Sequence, residues 1–183
     1  MTDAFAEFGV ERRPWLDPAL LQSRYHELAV IRHPDKLGGD SLPLARLNEA
    51  RRILSSPPLR LRHLLDLTHP PGLVTNRFAP DFEQFARAGA LAKRAEQISE
   101  MSSSSPLAAA VARAESASLQ KEISSVLDRI NLRLDAMEKN ILSLNASWPD
   151  VTPQEISLLA EELSFQNIWR QSLRSAQTRL MGG

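Results

Sequence analysis

The sequence predicts an all-α protein. Leu and Ala dominate its apolar content while Val, Ile, Tyr and Trp are sparse; side-chain entropy favours the first pair in helices and the branched and aromatic residues in strands. Apolar residues recur at spacings of three and four along most of the chain, the pattern of one buried helix face. Proline follows a capping residue at Asp17-Pro18, Ser56-Pro57 and Thr152-Pro153, and the first helical position is where its missing N–H costs nothing.

A short amphipathic turn runs from Phe5 to Phe8 and is closed by Gly9. The helix starting at Pro18 carries Leu21, Tyr25 and Leu28 on one face, and it must stop by His33 because Pro34 disfavours helical geometry in the residue before it. The loop His33 to Asp40 includes Gly38-Gly39, a permissive turn. Pro43 opens a second helix with Leu47, Ala50 and Leu54 on its buried side, and a last short helix after Pro57 turns Leu61, Leu64 and Leu65 inward. Thr68-His69-Pro70-Pro71-Gly72 cannot continue a helix, which sets one domain at residues 1–70 and a second at 71–183.

The second domain reads as an antiparallel three-helix bundle serving a client or oligomerisation. Its first helix runs roughly from Pro80 to Met101, with Phe78, Phe82 and Phe85 giving way to Ala88, Ala92 and Ala95 on one stripe. Four serines, Ser102 to Ser105, then Pro106, form a turn, because serine hydroxyls bond locally to backbone. The next helix runs from Leu107 to about Ser147, about 60 Å at 1.5 Å per residue. Leu119, Ile123, Val126, Ile130, Leu134, Met137, Ile141 and Leu144 give it a bundle or coiled-coil seam. Trp148-Pro149-Asp150 breaks it. Thr152-Pro153-Gln154-Glu155 is a capping box that opens a third helix reaching about Met181.

Composition narrows the function. The 183 residues hold 22 basic and 22 acidic side chains, and residues 1–70 hold ten and nine of them, so neither part has the positive surplus of a nucleic-acid binder. No cysteine is present, which excludes disulfides, thiolate nucleophiles and thiolate ligation of zinc or an iron–sulfur cluster. Trp148-Pro149-Asp150 therefore has no phosphatase nucleophile to serve. Nothing points to a catalytic constellation, a cofactor or a metal, and the chain reads as non-enzymatic. The amino terminus lacks a secretory or transit signature, and no apolar run approaches a membrane span. The expectation is a cytoplasmic protein without membrane or nucleic-acid partners.

The sharpest local signal is Arg32-His33-Pro34-Asp35-Lys36 on the loop between two amphipathic helices. Together with Phe5, Phe8-Gly9-Val10, Leu21, Tyr25, Leu28-Ala29, Asn48-Glu49-Ala50, Leu54 and Pro57, in matching order and spacing, it resembles the J-domain family named for DnaJ. Within that family the chain looks similar to the HscB-type co-chaperones of iron–sulfur cluster assembly, through Phe5 to Val10 at one end and Arg60, Arg62, Leu64 and Leu65 at the other. The resemblance implies docking on the nucleotide-binding domain of a DnaK-type, HscA-like chaperone and acceleration of its ATP hydrolysis. His33 would anchor the loop, Pro34 would fix a torsion, and Asp35 would present its carboxylate to a partner arginine. Arg24, Arg32 and Lys36 would steer docking onto an acidic patch. Many J-domains carry a basic pair after the helix tyrosine; this chain has His26 and Glu27, which implies weaker steering. A histidine by itself reads as a helix C-terminal cap, and His26, His63 and His69 keep that reading.

HscB-type proteins also append a three-helix domain whose first helices capture an iron–sulfur scaffold protein on an apolar and acidic patch. The corresponding residues here are Phe82, Glu83, Phe85, Leu91 and Glu96, interrupted by Arg87, Lys93 and Arg94. The stripe through Phe82, Phe85 and Ala92 assigns at least one phenylalanine to the core and leaves Glu83, Leu91 and Glu96 for docking. The competing class is a structural adaptor, with a J-like hairpin retained for packing and a bundle that mediates assembly.

Overall fold

The computed structural model describes residues 2–36, 38–69, 79, 81–102 and 106–181, and every regular element among them is helical. In chain order these are α1 (Ala4–Phe8), α2 (Pro18–Ile31), a 3-10 turn (Pro34–Lys36), α3 (Leu42–Ser55), α4 (Pro57–Thr68), α5 (Phe82–Ser102), α6 (Pro106–Ala146) and α7 (Pro153–Met181). The break at Pro70-Pro71-Gly72, Phe78, Pro80 and the serines 103–105 lie outside the described residues.

Two compact units form, and they do not follow chain order. One comprises residues 1–77 and 138–161, the other 78–137 and 162–183. The division at residue 70 is thus crossed by the end of α6, the turn after it and the start of α7. The physical reason lies in two contacts inside the first unit. Trp148 packs against the core formed by α1 to α4, and the Trp15 N–H donates to Asn145 Oδ1 at 3.3 Å.

In the first unit α3 touches α1, α2 and α4. Tyr25 Oη donates to Asn48 Oδ1 and Arg51 donates to Gln22 Oε1, so contacts step forward along α2 and backward along α3, an antiparallel hairpin. Phe5, Phe8, Leu21, Leu47, Ala50, Leu54 and Leu64 form its core, each large side chain contributing roughly 1.5–3 kcal/mol on burial. Asp3 caps α1 by accepting from the N–H groups of Phe5 and Ala6. Gly9, at φ 63°, ends that helix in the left-handed conformation that glycine adopts without penalty. Asp17 caps α2 through the Ala19 N–H, whereas Ser56 occupies the N-cap of α4 without a side-chain bond.

Two buried polar side chains pin these short helices. Arg60 donates to Pro14 O at 2.8 Å and to Leu54 O at 2.6 Å, the latter a carbonyl that the end of α3 leaves without a helical partner. Burial pushes its guanidinium down to about 10 against the pull of Glu138, so it stays a cation at neutral pH. His63 corrects the reading as a cap of its own helix. Its Nε2 accepts the Ala4 N–H at 3.0 Å, a donor in the first turn of α1, and its ring stacks on Phe5 at 5.8 Å.

The second unit is antiparallel by the same logic of stepping contacts. Arg87 pairs with Glu122 and Arg94 with Glu115 between α5 and α6; Arg133 pairs with Glu162, and Gln177 reaches Ser124, between α6 and α7. Along α6, Leu119, Ile123, Val126, Ile130 and Met137 are buried and Leu134 half-buried in this unit, and the stripe runs on through Ile141, buried, and Leu144, half-buried, in the part of α6 that belongs to the first unit. Glu155 and Thr152 form the expected reciprocal cap of α7, and bonds from the Thr152 hydroxyl and N–H hold the Glu155 carboxyl below its ordinary value. The face of α5 corrects the sequence reading. Ala88, Leu91, Ala95 and Ile98 enter the core, while Phe82 and Phe85 are 73% and 56% exposed. At about 3.6 residues per turn the stripe through Ala88 and Leu91 extends back to Gln84, placing Phe82 nearly opposite and Phe85 at its edge.

Candidate functional site

The loop after α2 is built by local rules. Pro34 prevents the helix from continuing, and Arg32 closes it with its N–H bonded to Leu28 O at 2.9 Å. The chain then tightens into the 3-10 turn, with Lys36 N–H donating to His33 O and Gly39 N–H to Pro34 O, both at 2.9 Å. Gly38 and Gly39 sit at φ 65° and 93°, conformations that let the chain reverse into α3 without Cβ strain. Asp40 Oδ1 accepts the Leu42 N–H at 2.9 Å and supports the start of α3.

Within this loop His33 Nδ1 accepts the Asp35 N–H at 3.3 Å and lies 3.4 Å from Asp35 Oδ2. The imidazole, itself 53% exposed, braces the turn, and the Asp35 side chain, 87% exposed, projects its carboxylate into solvent. Pro34 is half-buried. A carboxylate on a short, hydrogen-bonded turn is a preformed acceptor for a guanidinium.

The three cations assigned to steering have different fates. Lys36 is exposed and has no ion pair among the described residues. Arg24 is paired with Glu27 at 3.2 Å, which offsets part of its positive charge. Arg32 turns inward to Glu7, with Nη1 to Oε2 at 2.5 Å and Nη2 donating to Glu7 O at 3.1 Å. Positive charge is instead concentrated on α3, where Arg46 is exposed without an ion pair among the described residues and Arg51 lies over the Tyr25 ring at 4.1 Å. The sequence held a signal for this: three arginines at positions 46, 51 and 52 against one acid, Glu49, on that helix.

On α5, Phe82, Glu83 and Phe85 are exposed and Glu96 is exposed 4.0 Å from Arg179. Leu91 is 5% exposed and belongs to the core, so it is no docking residue. Beside these residues a cavity of about 570 Å³ is lined by Gln84, Arg87, Arg129, Glu162 and Trp169, whose indole N–H has no partner among the described residues. No cluster of three or more His, Asp or Glu side chains suited to a metal occurs among the described residues, and no described helix is long and apolar enough to cross a membrane.

No family model matches this chain. The fold is similar to that of the chaperone HscB from Vibrio cholerae. The two superpose with a TM-score of 0.57 over 98% of this chain and 99% of that one, at 18% sequence identity. The HscB-like fold thus extends over both units, and at that identity the likeness speaks to the fold alone.

Proposed function

We propose that this protein is a J-domain co-chaperone that stimulates ATP hydrolysis by a DnaK-type chaperone and hands it a client. The observation that carries the reading is the exposed Asp35 carboxylate, braced by His33 and Pro34 on a turn between antiparallel helices, the arrangement that the J-domain resemblance requires. Residues 1–70 supply the chaperone contact, with Lys36 and Arg24 adding charge, and the α5 to α7 bundle carries the client. The protein performs no chemistry itself; the barrier it lowers belongs to its partner. A purely structural adaptor has no use for an acceptor displayed in this way, and the bonded turn counts against that class.

The client in this reading is an iron–sulfur scaffold protein, supported by the HscB-like fold and by the exposed aromatic pair Phe82 and Phe85 beside Glu83. Docking rests on these residues and Glu96. The function is tested by adding the full chain to a DnaK-type chaperone from the same organism and following single-turnover ATP hydrolysis. Stimulation of several-fold is expected, and none with any such chaperone would overturn the reading. Titration of the scaffold separates the client: binding in roughly the micromolar range that is lost in Phe82→Ser/Phe85→Ser is expected.

A further inference from the structure

The loop that displays Asp35 is fastened to its unit at its amino-terminal end. Arg32 closes α2 with φ −93° and ψ 12°, so the direction in which His33 leaves the helix is set at this residue. Its guanidinium reaches 25 residues back to α1, where it grips both the Glu7 carboxylate and the Glu7 carbonyl. The two side chains are only 24% and 19% exposed. Beyond Arg32, the hydrogen bonds described for residues 33–36 close on the loop itself: Lys36 N–H to His33 O, Asp35 N–H to His33 Nδ1, and Gly39 N–H to Pro34 O. None of the side chains of residues 33–36 is part of the apolar core. The anchor at the other end of the grip is firm, because α1 has Phe5 and Phe8 in that core and its Ala4 N–H on His63.

We propose that Glu7 is a positioning residue for the docking loop, holding through Arg32 the bearing of the Asp35 carboxylate. The inference rests on the co-chaperone reading and deepens it by moving Arg32 from a steering charge to a strut. A half-buried pair is screened by salt less than exposed charges are. The bearing of Asp35 therefore persists at ionic strengths where the pull of Arg24 and Lys36 fades. Loosening the strut lowers the fraction of molecules with a competent loop, which weakens apparent affinity without altering the complex once formed. That separates a positioning residue from Asp35, whose loss removes the effect at saturation.

The experiment uses the full chain and three variants: Glu7→Ala, Glu7→Gln, and the exchanged pair Glu7→Arg/Arg32→Glu. ATPase stimulation of a DnaK-type chaperone is measured against co-chaperone concentration, and backbone order parameters of residues 33, 35 and 36 are measured by NMR on the free protein. For Glu7→Ala the half-saturating concentration is expected to rise roughly fivefold at an unchanged plateau, with lowered order in the loop and α-helical content retained. Glu7→Gln, which keeps an acceptor and the main-chain contact, should fall between it and the wild type, and the exchanged pair should recover most of both losses. Unchanged loop order in Glu7→Ala overturns the proposal whatever the ATPase shows. Lowered order with an unshifted half-saturation also overturns it, provided the wild type stimulates. A wild type that fails to stimulate overturns the co-chaperone reading instead, and the loop order still decides whether Glu7 holds the turn.

Discussion

In the first unit short helices are pinned by polar contacts that reach far along the chain: Arg60 to Pro14 and Leu54, His63 to Ala4, Arg32 to Glu7. In the second, three long helices share an apolar seam around Leu119, Ile123, Val126 and Ile130, and their ion pairs lie at the surface. The difference follows from length. A five-residue α1 offers only Ala4, Phe5 and Phe8 to the core, so directional bonds add to that burial in fixing its orientation; α6, with 41 residues, obtains its alignment from the repeat of its apolar face. Directional bonds also suit the role proposed for this unit, the display of one carboxylate in one bearing.

The sharpest way to break the comparison is a charge in the seam. Ile130→Asp places an uncompensated carboxylate at a position that is 0% exposed, a cost of several kcal/mol that approaches the whole stability of a small domain. Loss of most of the helical signal near 222 nm is expected, and a wild-type melting curve would contradict the seam. The corresponding change in the first unit is Arg60→Leu, which strands the carbonyls of Pro14 and Leu54 and should cost about 2–4 kcal/mol. By contrast, Arg133→Ala in the second unit removes an exposed partner of Glu162 and should cost less than about 1 kcal/mol. Thermal melts of the two variants side by side measure the difference; equal shifts would mean that the buried arginine is no pin.

A smaller effect appears in the pH dependence. Burial lowers the His63 pKa from its ordinary 6.5, and Arg12 adds to this, while the carboxylates of Asp3 and Asp66 pull the other way. The unfolded chain therefore binds the proton more readily. The stability His63 contributes is complete above about pH 6.5 and is lost as the pH falls through the folded value, where Nε2 gains a proton and can no longer accept the Ala4 N–H. His63→Gln, with an amide oxygen in place of that nitrogen, should flatten the melting temperature between about pH 7.5 and 5.5. An unaltered slope would assign the acid sensitivity to other groups.

What could be read in the sequence was governed by neighbours in the chain. Gly9, Asp17-Pro18 and the Thr152 to Glu155 box obey rules spanning four residues or fewer, and the structure has each of them where the sequence set it. The α6 seam was legible because one helix repeats its own pattern many times. On α5 two stripes fit the same three-and-four spacing, one through Phe85, Ala88 and Ala92, the other through Gln84, Ala88, Leu91 and Ala95. The choice between them is made by α6 and α7, which the spacing does not contain. The contacts of Glu7 with Arg32 and of Ala4 with His63 join residues 25 and 59 positions apart. No local pattern encodes them, which is why Arg32 read as a steering charge and His63 as a cap. Of the turn after α2, the placement of His33, Pro34 and Asp35 between two helices was legible, and the exposure of the carboxylate was not.

The central claim is that the carboxylate displayed by the pinned unit engages the chaperone. Asp35→Asn tests it most directly, because the side chain is 87% exposed and supports no core contact. Its melting curve and helical content should equal those of the wild type. Single-turnover ATP hydrolysis by a DnaK-type chaperone should then rise several-fold with the wild type and stay at its basal rate with the variant, even at saturating concentration. Equal stimulation by the two proteins would contradict the claim.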